Sequence, residues 1–217
     1  MEIVMVGAGT MGRSLGDAFT RAGHVVTFVT RDSQRSQEVA SLLGARSAAS
    51  LAEVVPACDV VVLAIQFSDA SEVLARELAP LVKGKIVVDV TNPMTTDGSA
   101  LAFDGGGSGA ERFAEWMPAA QVAKALNTVF AANMTRTTVD GIQLDGYVAA
   151  DDAEAKSVVL DLVSSIGLRG VDAGPLAAAR SLEQLAWFNI SLNQRHGWAW
   201  DTGWRLAGIP GGADGAG

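Results

Sequence analysis

The chain has 217 residues, 49% of them hydrophobic and 18% charged, and a net charge of −8. That composition excludes a disordered chain, and no apolar run approaches the ~20 residues of a membrane-spanning helix. The acidic balance, without a basic stretch, also argues against nucleic acid and anionic membrane as partners, though not against phosphate ligands, which need only local positive charge.

Residues 3–6 are a short β-branched run followed by Gly7. No basic leader precedes them, so the fold is expected to begin at residue 2. The spacing then predicts a helix over 11–22 stopped by Gly23, a strand over 25–29, and a helix over 33–43 closed by Gly44. A weak strand or turn near Arg46 leads to a short helix over 50–55. Residues 59–64 and 85–90 read as strands covered on both faces, separated by a helix capped by Ser68 or Asp69 that runs to about Leu81. Residues 95–109 break the pattern, and the run from Gly105 to Gly109 reads as a flexible loop. A helix near 111–116, strands near 122–126 and 143–148, a helix over 152–166 and a strand near 169–172 follow. Pro175 is expected in the first turn of a last helix reaching about Arg195, and the glycine-rich tail 209–217 is expected to fray. This alternation predicts an α/β, Rossmann-type, doubly wound and mostly parallel sheet. Residues 1–174 are expected to form the nucleotide-binding domain and residues 175–217 a helical segment that completes a second site.

The strongest motif is Gly7-Ala8-Gly9-Thr10-Met11-Gly12, placed between the first strand and the first helix. Gly7 permits a tight turn, Gly9 lets a pyrophosphate approach the backbone, and Gly12, with Gly16 behind it, lets the helix lie close to the strands. Thr10 and Met11 open that helix, whose free N–H groups attract the anion. An NAD site places a carboxylate at the end of the second strand. Here Thr30 and Arg31 stand there, with Arg35 behind, which suits a 2′-phosphate and hence NADP(H). Asp32 reads as a helix cap, although a one-residue slip in register would make it the ribose acid and the cofactor NAD.

Ligands of open parallel sheets bind beyond the carboxyl ends of the strands. Ile65 and Gln66, Asn92 and Pro93, and Asn127 and Thr128 occupy those ends and are expected around the nicotinamide, although Asn92-Pro93 also reads as a plain turn. No acid–base set or metal cluster is evident. His24 reads as structural, His196 could line the site, Lys124 lies within a strand, and the lone Cys58 reads as a core residue of a reducing, cytoplasmic compartment. Trp187, Trp198, Trp200 and Trp204 suggest a planar ligand, a subunit interface or core packing.

These pieces resemble the family of NADP oxidoreductases that use the deazaflavin coenzyme F420. The resemblance rests on residues 7–12, Thr30-Arg31 with Arg35, residues 59–65, 87–93 and 124–128, and Asp172-Ala173-Gly174-Pro175-Leu176 with Arg180. It implies a homodimer and reversible hydride transfer between NADP(H) and F420. It also implies that Asn127, Phe130, Gln184 and Trp187 neighbour the acceptor. Archaeal members carry histidine and proline at the positions of Asn127 and Phe130, and small hydroxyl residues at Gln184 and Ala186, so the acceptor half departs from their pattern. Reduction of an imine, a flavin or a ferric chelate, and a non-catalytic NADPH-sensing module, stay open as alternatives.

Overall fold

A computed structural model describes residues 1–95, 97–103 and 106–209. Gly105 and the tail beyond Ile209, both expected to be flexible, lie outside the described residues. The first half alternates as expected. It runs β1 (Glu2–Val6), α1 (Thr10–Arg21), β2 (Val25–Val29), α2 (Ser33–Leu43), β3 (Arg46–Ser47), α3 (Leu51–Val54), β4 (Val60–Leu63), α4 (Asp69–Leu78) and β5 (Ile86–Asp89). The second half holds α5 (Gly109–Trp116), β6 (Gln121–Ala125), β7 (Thr138–Val139), β8 (Ile142–Gln143), β9 (Asp145–Ala150), α6 (Ala153–Ser165), β10 (Arg169–Gly174) and α7 (Ala179–His196).

Eight strands form one sheet in the order β10-β9-β6-β5-β4-β1-β2-β3. Neighbours are parallel except β6 and β9, which are antiparallel. The exception has a chain-level cause. The parallel neighbours β1 and β2, β4 and β5, and β9 and β10 are joined through helices. Between β6 and β9 there is only a 3-10 turn at Ala131–Asn133 and the β7–β8 hairpin, so no helical crossover reverses the chain. The pleat sends Ile3, Met5, Val60 and Val62 into one apolar cluster with Leu15, Phe19, Phe28 and Val159. Val4, Val6, Val61 and Leu63 enter the opposite cluster with Leu51, Leu78 and Phe113. Both faces are therefore covered, and each fully buried Phe or Leu contributes about 1.5–3 kcal/mol.

Three expectations are corrected. The strand near 143–148 is two elements: β8 belongs to a hairpin with β7, and β9 enters the main sheet. Asp140 and Gly141, at φ 50° and 79°, form the two-residue left-handed turn that Asp-Gly favours in hairpins. The helix expected to reach Leu81 stops at Leu78, and Leu81 N–H closes a turn onto the Leu78 carbonyl at 2.8 Å. Pro175 precedes the last helix instead of joining it: it is extended, with ψ 166°, and caps a 3-10 turn at Leu176–Ala178 before α7 begins.

Candidate active site

The glycine loop is set by contact as much as by conformation. Gly7 has φ +111°, and a Cβ there would lie 2.3 Å from the Ala64 carbonyl oxygen. The Gly7 N–H donates to the Val29 carbonyl at 3.1 Å. A Cβ on Gly12 would lie 2.2 Å from the Gly7 oxygen, and one on Gly16 2.3 Å from Cζ of Phe28. These three glycines hold α1 against β1, β2 and β4. Gly9 differs, since a Cβ built on it meets nothing within 4 Å. It caps α1 in an extended conformation, φ −74° and ψ −170°, on the wall of a cavity of about 840 Å³. The first-turn N–H groups of α1 and the positive end of its dipole favour an anion here.

The same cavity is lined by Thr30, Arg31 and Arg35 at the end of β2, and by Ile65 and Gln66 beyond β4. Asp32 also borders it, but its carboxylate is occupied. Oδ1 accepts from the Gln34 N–H at 3.1 Å and the Arg35 N–H at 3.3 Å, capping α2. The Thr30 hydroxyl donates to the Asp32 carbonyl. Arg35 Nε donates to the Ala8 carbonyl at 3.3 Å, which draws its guanidinium over the glycine loop. Arg31 is exposed beside it. The donor set thus offers a phosphate cradle at Gly9 and two cations at the far end, a fit to a dinucleotide carrying an extra phosphate.

Asn92, Pro93, Asn127 and Thr128 stand past the ends of β5 and β6. Asn92 Nδ2 donates to the Asn127 carbonyl at 3.0 Å, and Asn127 Nδ2 returns a bond to Asn92 Oδ1 at 2.9 Å and a second to the Leu182 carbonyl at 3.1 Å. Asn127 Oδ1, Thr91 Oγ1 and Thr128 Oγ1 are buried here with no hydrogen-bond partner among the described residues. Each such orphan costs about 1–3 kcal/mol, and a carboxamide offers both donor and acceptor to such a site. Thr10 is exposed at the start of α1, whereas Met11 is half-buried and packs on the core.

The four residues expected near an acceptor do not form one cluster by side-chain contact. Asn127 reaches α7 at Leu182. Gln184 lines a second cavity of about 310 Å³ with Leu101, Phe103, Gly107, Arg180 and Glu183. Phe130 meets Trp200 edge-on, centroids 5.5 Å apart, and Trp187 is half-buried on α7. Trp204 stacks on Phe188, and Trp198 on His196. The segment after α7 folds back, its Asp201 and Thr202 carbonyls accepting from Asn133 Nδ2 at 2.9 and 3.2 Å. His24 is structural, with Nε2 2.9 Å from Ser165 Oγ. Cys58 is buried in the core, and burial pushes its thiol pKa up.

Sequence reasoning missed a buried ionic cluster. Lys124 Nζ donates to Asp89 Oδ2 at 2.8 Å, to the Thr91 carbonyl at 2.5 Å and to Glu183 Oε1 at 2.8 Å. The Lys124 and Asp89 side chains are 0% exposed and that of Glu183 3%. Glu183 also accepts from the Gly109 N–H, at 2.9 Å to Oε1 and 3.2 Å to Oε2. A Cβ on Gly109 would lie 3.3 Å from Glu183 Oε1 and from the Phe67 ring, so α5 begins where only glycine fits easily. The readable signal was Lys124 itself: a charge in a strand buried on both faces requires partners.

A sequence model of the family described as NADP oxidoreductase, coenzyme F420-dependent, matches residues 2–93. The F420-dependent NADP reductase of Methanothermobacter thermautotrophicus is 28% identical over 226 residues, covering 97% of this chain and 96% of that protein. The solved structure assigned as an F420-dependent NADP reductase of Arthrobacter sp. FB24 aligns at TM-score 0.84 and 29% identity, over 95% of this chain and 99% of that one. Over residues 2–93 the chain resembles the family of coenzyme F420-dependent NADP oxidoreductases. Within that family match lie the glycine loop, Thr30, Arg31, Arg35, Gln66 and the Asn92-Pro93 turn. An imine reductase of Myxococcus stipitatus shares the fold at TM-score 0.70 and 18% identity, over 91% of this chain and 63% of that one. At that identity the likeness extends to architecture alone.

Proposed function

We propose that the chain is an NADP(H)-dependent oxidoreductase that passes a hydride between NADP(H) and the deazaflavin coenzyme F420. One observation carries the cofactor half: the open side of Gly9 and the cations Arg31 and Arg35 share a single cavity. The acceptor half is supported by the full-length likeness to the methanogen reductase. NADPH, when bound, supplies the hydride with its electron pair. Gly7, Gly9 and Gly12 shape the cradle for the pyrophosphate beside Thr10 and Met11. Thr30, Arg31 and Arg35 hold the 2′-phosphate. Ile65 and Gln66 line the path inward, and Asn92, Pro93, Asn127 and Thr128 orient the nicotinamide. Residues 175–217, with Gln184 and Trp187 on α7 and with Trp200 against Phe130, close the acceptor side over a domain formed by residues 1–174. Transfer between two rings needs chiefly proximity and alignment, which rigid strand ends provide. The working unit is a cytoplasmic homodimer. Mixing enzyme, NADPH and F420 tests the reading. The visible band of F420 is expected to bleach catalytically, and tight NADPH binding without bleaching would refute it.

A further inference from the structure

The proposed reaction consumes a proton as well as a hydride, and a buried carboxyl stands at the edge of the second cavity. Glu183 borders the cavity that Leu101, Phe103, Gly107, Arg180 and Gln184 line. Glu183 ties this cavity to β6 by accepting from Lys124 Nζ at 2.8 Å. The residue before Glu183 gives its carbonyl to Asn127 Nδ2 at 3.1 Å, and Asn127 in turn pairs with Asn92. The carboxyl is therefore fixed to the strand ends that carry the nicotinamide half of the proposed site.

The charges around it do not balance. Facing Glu183 are Lys124 from β6, Asp89 behind Lys124 from β5, and the Gly109 N–H at the start of α5. On its own helix, Arg180 is turned away and bound to Glu111 at 2.7 and 2.8 Å. Among the described residues, one buried cation thus serves two buried carboxylates. Asp89 has Lys124 on Oδ2 and the Thr91 N–H on Oδ1 at 2.8 Å. Among the described residues, Glu183 Oε2 has only the 3.2 Å contact to Gly109, so it is the oxygen with room for a proton. Burial, the largest influence, pushes the Glu183 pKa up, and Lys124 pulls it only partly back.

We propose that Glu183 is the proton donor to the acceptor and that Lys124 is its positioning residue, an inference that rests on the hydride-transfer reading above. Glu183 Oε2 gives its proton to the acceptor nitrogen as the hydride and its electron pair reach the conjugated acceptor carbon from NADPH. One N–H and one C–H bond form. The Glu183 O–H bond and the dihydronicotinamide C–H bond break. The carboxylate left behind is held by Lys124 and the Gly109 N–H until solvent returns a proton.

Glu183→Gln is a clean probe. The amide oxygen still accepts from Lys124 and Gly109, and the remaining Lys124–Asp89 pair is neutral, so the fold is kept. General acid catalysis is worth about 10²–10⁴-fold. F420 reduction by NADPH is expected to fall about 10²–10³-fold in kcat, with KM for NADPH unchanged and the melting temperature not lowered. Glu183→Asp, which keeps the carboxyl, is expected to recover part of the rate. Infrared spectra of the wild type at neutral pH should contain a protonated-carboxyl stretch that is missing in Glu183→Gln. Wild-type turnover by Glu183→Gln across the pH range, or the absence of that stretch, overturns the proposal. An Asp variant as slow as the Gln variant, with both melting early, assigns Glu183 to a structural clasp and overturns it too. Failure of the wild type to reduce F420 is a separate result, and it removes the hydride-transfer reading itself.

Discussion

Gly9→Ala separates clearance for a ligand from clearance for the fold. At φ −74° and ψ −170° the backbone of Gly9 suits alanine, and the added methyl meets no protein atom within 4 Å. Replacing glycine at a compatible position stabilises by about 0.4–1 kcal/mol through the unfolded chain. In a chain of this size that raises the melting temperature by about 1–4 °C. The methyl instead enters the space through which the pyrophosphate would reach the first turn of α1. Losing one charge-assisted hydrogen bond costs about 1.5–3 kcal/mol, or roughly 10- to 150-fold in Kd. Gly12→Ala is the control. Its Cβ would lie 2.2 Å from the Gly7 carbonyl oxygen, so stability should fall by about 1–3 kcal/mol. Thermal melts without cofactor and fluorescence titration with NADPH read both effects. A Gly9→Ala protein that binds NADPH like wild type refutes the assignment of this cavity to the cofactor.

Arg31→Ala is expected to weaken NADPH binding by about 1.5–3 kcal/mol while leaving NADH nearly unchanged; an equal loss for both cofactors in parallel titrations shows that Arg31 does not read the 2′-phosphate. Trp187→Ala should alter F420 kinetics without changing NADPH affinity or oligomeric state, whereas dissociation to monomers in light scattering with normal kinetics places Trp187 in the dimer contact. Asp145 gathers Arg169 Nε at 2.7 Å and Nη2 at 2.9 Å, the Tyr147 hydroxyl at 3.1 Å and the Leu206 N–H at 2.6 Å. Burial raises its pKa, but these partners outweigh burial and leave it below the ordinary carboxylate value. Its contribution to stability is therefore present above the unfolded value of about 3.9 and lost as pH falls through the lower folded value. Asp145→Asn should cost about 3 kcal/mol at neutral pH, read by urea melts, and should weaken the acid-side dependence; an unchanged acid limb contradicts this. For Glu183 the sign reverses. Its folded value is raised, so stability should decline as pH rises from about 4.3 toward that value, and Glu183→Gln should flatten this slope in melts across pH.

The glycine loop and the lining of the cavity beside it were legible because their constraints are local. A turn, a close approach and a helix start fall within residues 7–12, and the cations follow at the end of the next strand. Asp32 was readable as a cap because an α2 start needs one, and its carboxylate is bound to the Gln34 and Arg35 N–H groups. The antiparallel entry of β9 was not legible, although Asp140-Gly141 carried a hairpin signal inside a weakly apolar stretch. The buried acid was hidden for a different reason. Lys124 and Glu183 are separated by 59 positions, and Glu183 sits in a helix where glutamate is an ordinary surface residue. Only the packing of α7 over β6 turns an unremarkable side chain into a buried partner. Asn127, Gln184 and the returning tail each meet different partners that are distant in sequence, so their placement was not legible either.

Transfer of label tests the central claim most directly. NADPH carrying deuterium at the transferable position of its dihydronicotinamide carbon is mixed with the enzyme and F420 in ordinary water, and the reduced deazaflavin is examined by mass spectrometry and proton NMR. Direct hydride transfer between the two rings predicts one deuterium retained on carbon in the reduced F420, with no label released to solvent. Unlabelled reduced F420, or label recovered in water, would contradict it.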